Sequence, residues 1–294
     1  MLVSVILPTH NRKTLLVGAL EALARQTLSK LDYEVIVIAD SCTDGTAGTV
    51  SFLSPAFPGL QLVEVTVRSP AKGRNAGAAL ARGKYLAFTD DDCLPEPDWL
   101  VQLIAAFAER PEAVAVGGRT ITVPEDRTPL THQVENAGDT DCLPSCNFIV
   151  LREAFEKIGG FSKQFAFPHN EDTDLCWRLE ALGPLLHASE ALVVHPPRRD
   201  SFKARARWVR YLESEFTLAE RNPGLYAVRR RSPWRFIYWR VFVRDHLRYL
   251  KAALGDLLLR RRIDHCLIRT ALVAARASYL LRLLPRFFRL ARNA

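Results

Sequence analysis

Three consecutive carboxylates follow directly on an apolar run in Tyr85-Leu86-Ala87-Phe88-Thr89-Asp90-Asp91-Asp92, and few architectures accommodate that juxtaposition. The run is shorter than a typical helix and is bounded by Gly83 and Pro95, which predicts a buried parallel strand. In open α/β sheets, ligands lie in the crevice beyond the carboxyl ends of the strands. The triplet is therefore expected at that edge. Like charges this close repel, and a divalent metal carrying a phosphorylated ligand offsets them. Hard carboxylate oxygens suit Mn²⁺ or Mg²⁺. A solvated acidic loop is the alternative that the triplet alone leaves open.

The flanking sequence supports the strand. Val3–Leu7 and Tyr33–Ala39 read as strands, the second with the nearly continuous apolar run of a strand covered on both faces. Leu60–Val67 reads as a third. Helical spacing is expected over Thr14–Arg25, Ala71–Ala81 and Asp98–Glu109. Strands alternating with helices predict a doubly wound α/β sheet, mixed but mostly parallel. Beyond it, Ala113–Val116 and Thr120–Val123 read as two short strands around Gly117-Gly118. Residues 124–145 read as an irregular loop over the site, with short strands. Asn147–Leu151 returns to the sheet, and Glu153–Ile158 is a short helix ended by Gly159-Gly160. The first residues, Met1–Pro8, lack a basic n-region and read as a strand and not a signal peptide. No apolar run reaches the ~18 residues of a membrane span. Six cysteines without a Cys-x-x-Cys pair read as free thiols in a reducing cytoplasm.

Polar residues collect where the strands end. Thr9 and Arg12 are placed to meet a base or phosphate, and Asp40 to accept from a ribose or base edge. Neither a Gly-x-Gly-x-x-Gly nor a Gly-x-x-x-x-Gly-Lys-Ser/Thr element is present, so side chains and a metal would have to hold a nucleotide. A second acidic cluster, Asn170-Glu171-Asp172-Thr173-Asp174, opens a helix that stops at Gly183-Pro184. The macrodipole favours acids there. Asp174 and Arg178, four apart, read either as a helix salt bridge or as acceptor-side groups, whereas Glu171 and Asp172 can project into a cleft. His187 and His195 flank a last β-like stretch, Ala191–His195; at its end His195 is a candidate metal ligand or a structural histidine.

Taken together these elements resemble the family 2 glycosyltransferases. The matching stretches are Pro8-Thr9-His10-Asn11-Arg12, Asp40 with Thr43-Asp44-Gly45-Thr46, Arg74-Asn75-Ala76-Gly77, Asp90-Asp91-Asp92, Gly159-Gly160-Phe161, and Glu171-Asp172-x-Asp174-Leu175 with Arg178. They cover roughly residues 3–197, in the family's order. Three departures stand out: His10 where a Tyr is common, Ala39 in place of the first acid of an Asp-Asp pair, and Ser41-Cys42 in place of Gly-Ser. The resemblance implies a GT-A fold and an inverting transfer from a nucleoside-diphosphate sugar. A UDP-sugar is the first choice, with dTDP- and GDP-sugars as alternatives. It implies that Pro8, Thr9, Asn11, Arg12, Asp40, Arg74, Asn75, Asp90 and Asp91 bind the donor. It further implies that Asp92 and His195 hold Mn²⁺ or Mg²⁺, that Asp172 is the general base, and that Glu171, Asp174 and Arg178 lie on the acceptor side. The Gln-x-x-Arg-Trp element of processive synthases is absent after Arg178. A metal-dependent nucleotidyltransferase and a non-catalytic membrane-associated relative are the competing readings.

Charge divides the chain. Residues 1–200 carry 18 Lys/Arg against 26 Asp/Glu, a net −8; residues 201–294 carry 22 against 6, a net +16. The expected organisation is a catalytic domain over 1–200 (nucleotide-sugar side 1–110, acceptor side 111–200) and a basic α-helical region over 201–294. In that region Arg240, Arg244, Arg248 and Lys251 form one stripe. Phe242, Tyr249, Leu250, Ala253 and Leu257 are expected to face the other way. Arg282, Arg286 and Arg289 share a second stripe, with a kink at Pro285. Docking on anionic lipid at the inner face of the membrane, where glycan or lipid-linked envelope acceptors are presented, is one use of such a surface. Packing on the catalytic domain or on a twin subunit is the other. No nucleic-acid-binding module is visible.

Overall fold

The computed structural model describes residues 1–294 except 124–127, 133, 137–141, 232–233 and 293–294, and a few side chains within 56–292. The chain divides into two compact units, residues 1–123 with 133–197, and residues 124–132 with 198–294.

The first unit is built on an eight-stranded sheet in the order β3-β2-β1-β4-β8-β6-β9-β5. Its strands are β1 (Val3–Thr9), β2 (Tyr33–Asp40), β3 (Leu60–Val65), β4 (Tyr85–Thr89), β5 (Leu94–Pro95), β6 (Ala115–Ile121), β8 (Asn147–Leu151) and β9 (Leu185–Val194). The helices are α1 (Lys13–Ala24), α2 (Thr46–Leu53), α3 (Pro70–Leu80), α4 (Trp99–Glu109), α5 (Arg152–Lys157) and α6 (Glu171–Leu179). Strands β3, β2, β1 and β4 run parallel. The sheet then reverses at β8, which pairs antiparallel with both β4 and β6. β6 and β9 are parallel, and β5 is antiparallel to β9. The two sheet faces carry separate cores. Val3, Val5, Leu7, Val35 and Val37 pack with Leu16, Leu20 and Trp99 on one face. Ile6, Ile36, Ile38, Phe88 and Phe148 pack with Phe155 and Phe161 on the other. Alternation of side chains along β1 and β2 thus feeds both layers, which is why those strands read as continuous apolar runs.

The glycine pair 117–118 is not a turn. β6 runs unbroken from Ala115 to Ile121 through both residues, where two short strands were expected. A Cβ on Gly118 would lie 2.2 Å from the Ala191 carbonyl oxygen and 2.5 Å from Asn147 Oδ1. The glycine therefore makes room for Asn147, which accepts from Trp99 Nε1 at 2.7 Å and donates to the Arg119 carbonyl at 3.0 Å. β9 is also longer than the Ala191–His195 stretch expected, because Leu185–Ala188 pair with Ala115–Gly118 before a register shift. His187 thus lies within a strand. β3 closes at Val65, two residues early.

The second unit contains β7 (Thr131–His132), paired antiparallel with β10 (Arg198–Arg199), and helices α7 (Phe202–Arg207), α8 (Glu213–Arg221), α9 (Pro223–Arg230), α10 (Asp245–Leu258) and α11 (Ile263–Arg292). Of the loop expected over 124–145, residues 131–132 thus belong to this unit, Asn136 bridges Thr120 of β6, and 124–127, 133 and 137–141 lie outside the described residues. All six acids of the basic region are engaged within it. Glu215 takes Arg230 and Tyr226 at 2.7 Å, Asp256 takes Arg269 at 2.6 Å and Arg260 at 3.0 Å, and Glu220 takes Arg286 at 2.5 Å. Glu213 pairs with Tyr279, Asp245 with Arg276, and Asp264 with Arg262. Pro285 lies inside α11, which continues past it to Arg292.

A buried acid fastens the sheet of the first unit at its lower end. Glu34, fully buried, accepts from Ser4 Oγ at 2.6 Å, from Gln61 Nε2 at 2.7 Å and from Arg82 Nη2 at 2.7 Å. Burial opposes its charge, but the hydrogen bonds from Arg82 and Ser4 outweigh that and hold its carboxyl below the ordinary value. A depressed carboxyl contributes stability above its ordinary pKa and loses it as pH falls through the folded value. Glu34→Ala, which also leaves Ser4 without its acceptor, should cost about 1–3 kcal/mol in urea unfolding at neutral pH. The deficit should shrink in acid, and an equal deficit at both pH values would assign the loss to packing.

Candidate active site

The carboxyl ends of β1, β2 and β4 and the start of α6 bring the two acidic clusters together. β4 ends at Thr89, so Asp90, Asp91 and Asp92 lie just past the strand, at the edge expected. Asp91 and Asp92 are buried, whereas Asp90 keeps 30% of its side chain exposed. Thr9, the last residue of β1, donates to Asp91 Oδ2 at 2.7 Å, and Arg12 Nη1 reaches Asp91 Oδ1 at 2.9 Å and Asp92 Oδ2 at 3.3 Å. Burial raises the Asp91 carboxyl above its usual range against the pull of Arg12 and Thr9.

Arg74 links the clusters. It is buried on α3, with Nη2 donating to Asp90 Oδ1 at 2.7 Å and Nη1 to Glu171 Oε1 at 3.2 Å, and its guanidinium lies 5.5 Å from the centre of the Phe161 ring. Desolvation works against its charge, and Asp90 and Glu171 more than compensate. Asn75, the next residue, clamps the turn after α5: its Oδ1 accepts from Phe161 N at 2.9 Å and its Nδ2 donates to the Phe161 carbonyl at 2.8 Å. The turn needs Gly160, whose φ of +67° is a left-handed conformation and whose Cβ would lie 2.6 Å from Asn75 Oδ1. Arg74 and Asn75 therefore tie α3 to both sides of the cleft.

Glu171 and Asp172 open α6 after Asn170, which has a left-handed φ of 64°. Asp172 is half-buried and accepts its neighbour's N–H, from Thr173, at 2.8 Å. Glu171 is buried, and its Oε2 has no hydrogen-bond partner among the described residues. Desolvation, reinforced by the charge of Asp172 and only partly offset by Arg74, raises its carboxyl to about 8. Of the two readings open for Asp174 and Arg178, the structure forms the salt bridge: fully buried Asp174 takes Arg178 Nη2 at 2.7 Å and Nε at 2.9 Å. Arg178 Nη1 then donates to the Ile158 and Gly160 carbonyls, both at 2.9 Å. The pair braces α6 against the Gly159-Gly160 turn.

His195, just past β9 and buried, places Nε2 3.4 Å from Asp92 Oδ1. Burial lowers its pKa below the ordinary value, which favours the neutral imidazole that ligates metals. Ligand atoms of Asp92, Cys93 and His195 lie within 4.8 Å of one another. The Cys93 thiol is pushed well above its ordinary value, by its hydrogen bond with Cys146 and by burial. It is thus a protonated thiol, a poor ligand for a hard cation. One carboxylate and one imidazole thus stand within reach of a single divalent cation.

On the nucleotide side, Asp40 is occupied: Oδ1 accepts from Val67 N at 3.0 Å and Oδ2 from Ser69 N at 3.1 Å. It thereby folds the loop between β3 and α3, a role the sequence did not reveal. His10 Nδ1 lies 2.6 Å from the Asp40 carbonyl. Asn11, with a φ of 52°, accepts from Thr43 N at 2.7 Å. Asp44 accepts from the N–H of Lys13 at 2.8 Å and from Thr46 Oγ1 at 2.5 Å, so it fastens the starts of α1 and α2.

The raised Glu171 carboxyl has a measurable consequence. The unfolded chain loses this proton near the ordinary 4.5, whereas the folded chain keeps it to about 8. Between those values the folded state binds more protons, so stability falls as pH rises through the window. Glu171→Gln should flatten that fall in thermal unfolding between about pH 5 and 8. An undiminished slope would place the pH dependence on another group.

Residues 4–167 match the family model Glycosyl transferase family 2. The pre-mycofactocin glycosyltransferase of Mycobacterium tuberculosis (strain CDC 1551 / Oshkosh) is 29% identical over 242 residues, covering 75% of this chain and 48% of that protein. The chain thus spans about half the length of that relative. The mannosyltransferase PcManGT from Pyrobaculum calidifontis, solved in complex with GDP-Man and Mn²⁺, superposes with a TM-score of 0.66 at 24% identity, covering 95% of this chain and 86% of that one. Residues 1–349 of Staphylococcus aureus TarS, solved with UDP-GlcNAc, superpose with a TM-score of 0.58 at 18% identity, covering 94% and 88%. Those two structures share the GT-A fold with this chain. The family model, matched over more than half of the chain, shows that the chain belongs to glycosyl transferase family 2.

Proposed function

We propose that the chain is a metal-dependent, non-processive, inverting enzyme that transfers a sugar from a nucleoside-diphosphate sugar to an acceptor hydroxyl. The observation that carries this reading is the Arg74 bridge, 2.7 Å to Asp90 and 3.2 Å to Glu171, which sets a donor-side acid cluster against an acid pair at a helix start. A UDP-sugar is the first choice of donor, with dTDP- and GDP-sugars as alternatives; GDP-Man and UDP-GlcNAc are each bound by a structural neighbour.

Asp92 and His195 would hold Mn²⁺ or Mg²⁺, which when bound would offset the charge developing on the departing nucleoside diphosphate. Asp90 and Asp91, held by Arg74, Thr9 and Arg12, line the donor side with Pro8, Asn11 and Asn75. Arg12, 39% exposed, is free to swing from Asp91 toward a diphosphate. Asp40 shapes the base and ribose pocket through the loop it folds. Asp172 accepts the acceptor's hydroxyl proton as that oxygen bonds to the anomeric carbon. The bond from that carbon to the diphosphate oxygen breaks, its electron pair leaves with the nucleoside diphosphate, and the centre inverts. Burial raises the Glu171 carboxyl and Arg74 occupies its Oε1, which leaves the more open Asp172 as the base of the pair. Asp174 and Arg178 support the acceptor side from behind.

The acceptor is read as a glycan or lipid-linked molecule of envelope or surface polysaccharide or glycolipid synthesis, met at the cytoplasmic face of a membrane. No helix among the described residues is long and apolar enough to cross one, so residues 201–294 would attach the enzyme peripherally.

A panel of nucleotide-sugars with Mn²⁺, scored for nucleoside diphosphate release, tests the activity. Formation of nucleotide-sugar from a sugar phosphate would favour a nucleotidyltransferase instead. Asp172→Asn should keep donor binding and lower turnover by ~10²–10⁴; near-normal turnover in the folded variant would remove Asp172 from the role. In calorimetry, Asp92→Asn should weaken UDP binding in Mn²⁺ and abolish its metal dependence, and His195→Ala should raise the metal concentration needed. UDP affinity that ignores metal in the wild type would defeat the metal reading.

A further inference from the structure

We propose that α10 and α11 present a docking face for an anionic phospholipid bilayer, in which a leucine ridge enters the acyl boundary and a basic border meets the headgroups. The assignment rests on the peripheral attachment proposed above and names the surface that makes it. Leu247, Leu250, Leu254, Leu257 and Leu258 are between 40% and 66% exposed. At 100° per residue they fall within an arc of about 100° on α10. Arg244, Arg248 and Lys251, all exposed, occupy the adjoining arc. Buried His246, Ala253 and Asp256 take the arc on the other side of the leucines, across the helix from the basic residues. The ridge continues around the turn through Leu259 and Ile263, 86% and 63% exposed, to Leu267 on α11. Farther along α11 the exposed stripe through Ala274, Leu281 and Phe288 is uncharged.

The residues expected to face away from the basic stripe differ among themselves in exposure. Leu250 and Leu257 point outward, whereas Ala253 is buried and Tyr249 half-buried; the Phe242 side chain lies outside the described residues. The bare leucines, and not only the arginine stripe, are therefore the feature that needs a partner. Contiguous exposed apolar surface of this kind marks an interaction site.

Charge selects the partner. All six acids of residues 201–294 are engaged with Arg or Tyr inside the unit, so the net +16 is left to the surface. A two-fold contact between copies would set the same basic border against itself. An anionic leaflet neutralises it while taking up the leucines, and the long Arg and Lys stems can lie along the apolar boundary with their charges at the headgroups.

The test is flotation of the full chain with vesicles of phosphatidylcholine alone or mixed with phosphatidylglycerol. The protein should float with the anionic vesicles, less at high salt. Leu250→Ser/Leu254→Ser/Leu257→Ser should reduce binding at least about tenfold, and Arg248→Gln/Lys251→Gln by a similar factor with a weaker salt dependence. Circular dichroism and UDP affinity, unchanged in both variants, show that the fold is kept. Equal flotation with neutral and anionic vesicles overturns the proposal. So does no flotation together with a concentration-dependent dimer that the triple leucine variant dissolves. Nucleoside diphosphate release is read on the same samples. Release without flotation leaves the transferase reading intact and removes the docking face, and flotation without release does the reverse.

Discussion

The buried guanidinium of Arg74 is the contact on which the site depends. One side chain on α3 satisfies Asp90 beyond β4 and Glu171 at the start of α6, two groups more than eighty residues apart in sequence. A buried cation without these partners would be costly, as would buried Glu171 without the cation. The triad therefore holds three elements in one arrangement, and Asn75 extends the constraint to the Gly160-Phe161 turn. The cleft is in this sense a product of charge pairing as much as of the sheet that carries it.

The same electrostatics explain how five carboxyl groups share one sheet edge. Arg12 compensates Asp91 and Asp92, Arg74 compensates Asp90 and Glu171, and Glu171 further relieves the site by holding its proton to about 8. His195 Nε2 stands 3.4 Å from Asp92 Oδ1, so an imidazole nitrogen and a carboxylate oxygen are neighbours there. Environment thus separates neighbouring acids of the same chemistry: Glu171 is desolvated and its carboxyl raised, Asp172 is partly open, and Asp174 is closed off by Arg178.

In the second unit the charge is distributed by a different rule. Each acid of residues 201–294 is paired within that stretch, so the helices hold together through Arg–carboxylate contacts such as Asp256 with Arg269. Arg286, which by spacing belonged to an exposed stripe, is instead tied to Glu220 of α8. On α10, His246, Ala253 and Asp256 are buried while five leucines are exposed, which is the reverse of an ordinary surface helix and gives the region its exposed ridge.

The sequence by itself determined the α/β order of the first unit, the position of the aspartate triplet beyond β4, the acidic start of α6 and the charge division near residue 200. Each is local: a strand's apolar run, a helix start or a count of charges can be read from neighbouring residues. It could not reveal that Gly117-Gly118 lies within a strand, because the reason is the Asn147 side chain of another strand crossing there. Nor could it show that Asp40 folds the loop before α3, that Arg74 spans two clusters, or that Leu250 faces solvent while Ala253 does not. Those are decided by long-range packing. A residue's pattern fixes which face of its own element it occupies, but only the assembled structure fixes what that face meets.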